Sequence, residues 1–135
     1  MNIYFINICL NWVYKLYKDY LNCTQTILKK YKCVNNIKLL YISLDEDYIK
    51  IFLKKYESIQ LEENYKIIFS GEIGILSKIF KNYINNDPNI YFLNIEQMSN
   101  PSYYTYFREI PTNIKIIDYS EENIPYFKNI YLNLF

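Results

Sequence analysis

The chain of 135 residues contains no histidine and no alanine, one arginine, one tryptophan, two glycines and three cysteines. Each shortage removes a class of function. Without histidine there is no imidazole to act as general base, and no histidine zinc site can form. Any base must be a carboxylate. Cys9, Cys23 and Cys33 are irregularly spaced and include no CxxC pair, so they read as reduced, buried thiols in a cytoplasmic setting. Neither a disulfide framework nor a metal site follows from them. The segment Cys9 to Trp12 lacks the glycines with which a dinucleotide site approaches a pyrophosphate. Gly71 and Gly74 stand in SGEIG, which has no Gly-Lys-Ser/Thr and therefore forms no P-loop; they suit a tight turn and a close helix–sheet approach.

Charge of either sign is also scarce in any one place. The 15 basic and 14 acidic residues are mixed, giving a net charge of +1. No basic stripe offers itself to a nucleic acid. The apolar start has no basic leader, and Asn7, Asn11 and Lys15 interrupt it well before the roughly 20 residues a membrane span needs. Neither a signal peptide nor a membrane span is expected.

Isoleucine, asparagine, lysine and tyrosine dominate, which are the amino acids of AT-rich codons. The 17 tyrosines are read as that bias before they are read as function. Gly71, Gly74, Arg108, Trp12 and the prolines run against it, and each calls for a structural or chemical reason.

The length suits one domain over residues 1–135 with a core of its own. Short apolar runs alternate with helical periodicity. Strands are predicted at Asn2–Cys9, Ile37–Ser43, Tyr65–Phe69, Ile90–Ile95 and Ile114–Asp118. Helices are predicted from Asn11 to about Lys32, with Trp12 and Leu16 on its apolar stripe, and from Asp45-Glu46-Asp47 to about Tyr56. Another carries Ile73, Leu76, Phe80 and Ile84 and stops at Asn85-Asn86-Asp87-Pro88. A fourth starts with Asn100 as cap and Pro101 at its first position, and ends near Pro111. A fifth places Ile124, Phe127, Tyr131 and Leu134 on one face. Strict alternation with right-handed crossovers gives a doubly wound, parallel five-stranded Rossmann-like sheet with helices on both faces. The favoured strand order is 3-2-1-4-5, with the flavodoxin order 2-1-3-4-5 as the alternative.

In such sheets ligands gather beyond the carboxyl ends of the strands. Glu96, Gln97, Asp118, Tyr119 and Ser120 all fall there. A carboxylate beyond a buried strand must be paired, hydrogen-bonded or facing a cleft. Glu96 could therefore touch a ligand, or tie loops by accepting backbone N–H bonds or pairing with Arg108. Capping explains Ser120 and Asn123 well and Asp118 poorly. Asp45 reads as a cap or a solvated charge, or as a ribose-binding acid.

The run LNIEQMS followed by Tyr103-Tyr104, and then IIDYSEENIPY, resembles the acceptor-side, N-terminal Rossmann-like half of GT-B-type glycosyltransferases. It is most similar to those of large double-stranded DNA viruses and some microbes, and the AT-rich composition suits such a source. The motifs cover about Asn94 to Asn123. The resemblance implies sugar transfer from a nucleotide-sugar donor to a glycan or protein acceptor. Glu96, Gln97, Asp118, Tyr119, Ser120 and Asn123 then stand at substrate-binding positions, with no metal or other cofactor and no assigned catalytic residue. It also implies a C-terminal domain or partner chain that holds the donor. The alternatives are a non-catalytic interaction module or truncated paralogue docking through Tyr103, Tyr104, Tyr106 and Phe107, and a flavodoxin-like nucleotide or flavin binder.

Overall fold

The computed structural model describes residues 2–15, 18, 19, 22, 26, 36–84, 86–94, 105–118 and 122, and the backbone of 131–133. Two compact units divide the chain, Met1–Gly71 and Glu72–Phe135.

In the first unit, strand β1 spans Asn2–Cys9, β2 spans Asn36–Ser43 and β3 spans Tyr65–Gly71. Helix α1 spans Tyr48–Gln60 between β2 and β3. β1 lies between the other two strands and pairs with both in parallel, Ile6 facing Leu40 on one side and Phe69 on the other. Its sequence explains that position. Every residue from Ile3 to Cys9 is buried, and a strand apolar on both faces needs neighbours on both edges. β2 is different in kind. Lys38 and Leu39 are exposed, and Lys38 is a residue that protects an edge strand from further pairing.

Helix α1 buries Phe52, Tyr56 and Ile59, one stripe at helical spacing. Phe52 stacks on Tyr56 at 5.6 Å and meets Phe69 of β3 edge-on at 5.7 Å. Full burial of such a ring contributes about 1.5–3 kcal/mol. Asp47 begins the helix by accepting the Lys50 N–H at 3.4 Å. The acidic run therefore does cap α1 as its position predicts, through its last member.

After β1, Asn11–Val13 form a 3₁₀ turn, and residues 14, 15, 18, 19, 22 and 26 are helical. Thr26 Oγ1 donates to the Asn22 carbonyl at 2.9 Å, the back-bond of a helical turn. Trp12 does not lie on a buried stripe as its spacing predicts. It stands 79% exposed. The chain leaves β1 through a 3₁₀ turn, and the helical phase is set only after Val13.

In the second unit, helix α2 spans Ile73–Asn82, β4 Ile90–Asn94, β5 Lys115–Asp118 and β6 Tyr131–Asn133. β5 pairs in parallel with β4 and with β6. Leu76 and Phe80 of α2 are buried, and Phe80, Phe92 and Phe107 form a chain of rings at 5.8 and 5.9 Å. Asp87 accepts the Asn89 N–H at 2.9 Å and turns the chain into β4. Helix α2 itself ends at Asn82, ahead of the predicted stop, so Ile84 lies beyond the helix it was expected to line. Residues 105–107 are helical; Asn100 and Pro101, predicted to open that helix, lie outside the described residues.

The fold is thus a parallel α/β, Rossmann-like arrangement. Its strand order, β2-β1-β3 in the first unit and β4-β5-β6 in the second, follows the flavodoxin order and not the favoured 3-2-1-4-5. The correction has the cause given above: the wholly buried β1 takes the inner place and the Lys38-bearing β2 the edge. A second correction concerns Tyr131, predicted on a helical face. It opens β6, because a Tyr-Leu pair suits an added strand as well as a helix and short apolar runs do not separate the two.

At the amino end of the first sheet, Glu62 accepts hydrogen bonds from Asn2 Nδ2 at 2.8 Å and from the Tyr4 hydroxyl. Lys38 Nζ donates to the Tyr4 oxygen at 3.2 Å and lies 5.1 Å from the ring centroid. The Asn2 amide, then the Tyr4 hydroxyl, holds the Glu62 carboxyl below its usual 4.5. Burial, then the carboxylate, pushes the Tyr4 hydroxyl up, and the bond to Tyr4 raises the Lys38 ammonium. The cluster ties the start of β1 to the segment that leads into β3.

These local geometries yield three predictions. A carboxyl depressed on folding adds stability above its ordinary pKa, and the gain is lost as pH falls through the lowered folded value. Thermal melts from pH 7 to pH 3 should therefore show a loss of stability that Glu62→Gln reduces. Equal acid slopes in both proteins would remove Glu62 from the account. Gly71 has φ +128°, and a Cβ there would lie 2.0 Å from the Ile8 carbonyl oxygen. Gly71→Ala should lower stability by about 3 kcal/mol or more in urea unfolding, from backbone strain plus overpacking. At Gly74 a Cβ would meet only the Tyr106 ring, at 3.3 Å. Gly74→Ala should change stability by less than about 1 kcal/mol, since alanine also favours the helix.

Candidate functional site

Parallel strands end in backbone groups and side chains that the sheet itself does not use, so the carboxyl edges of the two units hold the chemistry. In the second unit β4 and β5 end in register at Asn94 and Asp118. Both side chains are fully buried, and Asn94 Nδ2 donates to Asp118 Oδ2 at 2.8 Å. An unmatched carboxylate there would cost several kcal/mol, so the amide is a structural requirement for the acid. The pair fixes the ends of both strands relative to each other, and with them the starts of the segments that follow.

Of the residues predicted to bind substrate, Asp118 is the one among the described residues. It stands at the carboxyl end of β5, as its place in the apolar run implies. Glu96, Gln97, Tyr119, Ser120 and Asn123 lie outside the described residues. Asn94 is absent from the predicted set. The signal that could have found it is that two apolar runs both end in a polar residue, which parallel pairing brings side by side. The aromatic docking surface loses one member: Phe107 is buried against Phe92, whereas Tyr106 is exposed. Tyr103 and Tyr104 lie outside the described residues.

The first unit has its own carboxyl edge. Inside it, Asn7 Nδ2 donates to Ser70 Oγ at 2.9 Å, and the Cys9 thiol points to Asn7 Oδ1 at the same distance. All three are buried, and they join β1 to β3 where the register sets Asn7 opposite Ser70. At the rim, the Tyr41 hydroxyl donates to Asn11 Oδ1 at 2.7 Å, with the Cys9 carbonyl oxygen 3.2 Å away. The Tyr41 ring lies 4.2 Å from that of Tyr14. Burial, then the neighbouring Cys9, pushes the Tyr41 hydroxyl above its usual 10.0, so it remains a neutral donor. Ser43 Oγ donates to Asp45 Oδ2 at 3.2 Å and accepts the Asp45 N–H at 3.1 Å. Asp45 is therefore held by its own turn and does not cap α1.

At these edges Asn7, Ser70, Asn94 and Asp118 are sealed inside the fold, whereas Asn11 and Asp45 are exposed. Among the described residues no group of three or more Cys, Asp or Glu is placed to hold a metal ion. No buried side-chain nitrogen or oxygen lacks a hydrogen-bond partner among them. Among them also, no helix is long and apolar enough to cross a membrane.

The Asn94–Asp118 pair yields a direct test. Asn94→Ala leaves a buried carboxylate short of one donor, and hydrogen bonds to charged groups are worth about 1.5–3 kcal/mol. Denaturant unfolding should show a loss of that size. A change below about 0.5 kcal/mol would mean that the remaining partners of Asp118 suffice. Comparison with known proteins finds no family model, curated protein or solved structure that matches this chain.

Proposed function

We propose that this chain is a sugar-handling Rossmann-like domain, the acceptor-side half of a GT-B-type glycosyltransferase. In this reading it works with a C-terminal domain or partner chain that holds the nucleotide-sugar donor. The observation that supports it is the buried hydrogen bond from Asn94 to Asp118. It joins the ends of β4 and β5 where the two stretches of the resemblance, LNIEQMS and IIDYSEENIPY, begin. Glu96, Gln97, Tyr119, Ser120 and Asn123 then follow two strand ends that are held together, and they contact the hydroxyl groups of a glycan or the side chain of a protein acceptor. In the absence of histidine, we assign the base that activates an acceptor hydroxyl to a carboxylate. The buried, reduced thiol of Cys9 suits a cytoplasmic setting.

Donor phosphates need clustered cations or preorganised N–H groups. The chain carries one arginine and no glycine-rich phosphate loop, so its own donor affinity is low. The test is an amide NMR titration of the chain with simple glycosides and with uridine, guanosine and thymidine diphosphate sugars. Glycosides should shift the signals of Asn94 and Asp118, and the nucleotide sugars should bind only weakly. Glycosides that leave both signals unmoved would overturn the acceptor reading. Micromolar binding of a nucleotide sugar would overturn the division of labour with a second domain.

A further inference from the structure

The two units repeat each other in sequence and in pairing. Residues 2–8, in β1, read NIYFINI, and residues 89–95, which include β4, read NIYFLNI; the two runs differ only at Ile6 and Leu93. β2 opens with NIKLL at 36–40, and the run that includes the start of β5 reads NIKII at 113–117. A chain rich in isoleucine, asparagine and tyrosine yields short matches by composition alone, and Asn-Ile-Tyr stands again at 129–131. Register is independent of composition. Tyr4 is paired with Lys38 and Asn7 with Tyr41 in the first unit, and the matched residues Tyr91 and Asn94 are paired with Lys115 and Asp118 in the second. At the third Asn-Ile-Tyr the match fails, since Tyr131 is paired with Ile116. The tyrosine and lysine stand 34 residues apart in one unit and 24 in the other, so one register is reached over connections of different length.

The side-chain geometry repeats as well. Lys38 Nζ donates to the Tyr4 hydroxyl oxygen at 3.2 Å and lies 5.1 Å from the ring centroid. Lys115 Nζ donates to the Tyr91 hydroxyl oxygen at 3.4 Å and lies 5.0 Å from that ring centroid. Each lysine thus sets its charge over the tyrosine of the strand beside it. These pairs answer a need. β1 and β4 bury residues on both faces, so a slip of the neighbouring strand exchanges one apolar contact for another. Hydrophobic alternation fixes register only where one face differs from the other. A directional pair between opposite residues supplies what the alternation does not. A slip that sets Leu40 opposite Tyr4, or Ile117 opposite Tyr91, takes the ammonium away from both the ring and the hydroxyl.

We propose that the two units are built on copies of one strand–connection–strand element, and that the Tyr–Lys pair in each copy sets the register of its parallel strands. The copies differ at their carboxyl ends. Asn94 donates to Asp118, whereas Asn7 donates to Ser70. The residue matched with Asp118 is Tyr41, whose hydroxyl donates to Asn11. The shared frame therefore forms without a carboxylate at that position, and Asp118 is a property of the second copy. Register is set toward the amino ends of the strands, so the pair acts whether or not the carboxyl ends bind an acceptor.

Lys38→Leu and Lys115→Leu keep an apolar stem and remove the ammonium, while Lys38→Arg and Lys115→Arg keep a cation. Amide hydrogen exchange of the whole chain, followed by NMR, distinguishes them. Each leucine variant should quicken exchange about tenfold across its own strand pair, β1 with β2 or β4 with β5, the loss of one polar contact. Each arginine variant should stay within about twofold of the parent rates, because guanidinium also lies well on an aromatic ring. In Lys38→Leu, cross-strand amide contacts should also report a second register, displaced by two residues so that side chains keep their faces. In Lys115→Leu the Asn94–Asp118 bond still holds the carboxyl end, and one register persists. A leucine variant that fails to fold while its arginine counterpart folds supports the pair in its strongest form. Failure of both to fold, arginine variants that exchange as fast as the leucine ones, unchanged exchange in either leucine variant, or a single register in Lys38→Leu would each overturn the proposal.

Discussion

The parallel pairing of β1 with both β2 and β3 is the constraint on which the first unit depends. Seven successive buried residues, Ile3 to Cys9, leave β1 no face for water and no edge for a loop. A strand of that kind is stable only when neighbours satisfy its backbone on both sides and packed side chains cover both faces. Once β1 is inside, the polar residue in its middle must be matched from a neighbouring strand. Asn7 finds Ser70 by register, and the thiol of Cys9 completes the row. The same close fit forbids a side chain at Gly71, whose backbone lies against Ile8.

Much of this is legible in the sequence because it follows from local chemistry. Asn2–Cys9 is a strand by its apolar run, Asp47 opens a helix by its side chain, and Asp87 turns the chain into β4 by accepting the Asn89 N–H. Strand order is harder to read, since NIYFINIC and NIKLLYIS are both β-rich and apolar. The exposed Lys38 and Leu39 separate them, since an edge strand leaves side chains to solvent where β1 buries every residue from Ile3 to Cys9. Trp12 was misplaced for a related reason. A helical stripe extrapolated back to the strand end ignores the 3₁₀ turn at Asn11–Val13 and so rotates the indole to the wrong side.

The candidate sites were legible in position and only partly in membership. Asp118 could be placed at a strand end from its own run, whereas its partner Asn94 depends on a pairing between residues 24 apart in sequence. Asn11, Tyr41 and Asp45 are ordinary residues until β1 and β2 are aligned, and the composition hides tyrosines in particular. A hydrogen bond from Tyr41 to Asn11 joins residues 30 apart, and no periodicity announces it.

The three polar clusters differ in what solvent can reach, and that difference decides their roles. Asn7, Cys9 and Ser70 are sealed, as are Asn94 and Asp118, and their hydrogen bonds are used up inside the fold. Such groups specify register, because slipping a strand would bury an unmatched polar atom at a cost of about 1–3 kcal/mol. Asn11 and Asp45 are exposed, and each has one side-chain oxygen held by the protein, Asn11 by Tyr41 and Asp45 by Ser43. Sealed polar residues thus hold the strand ends in place, and exposed ones at the same ends keep only the local turns in shape.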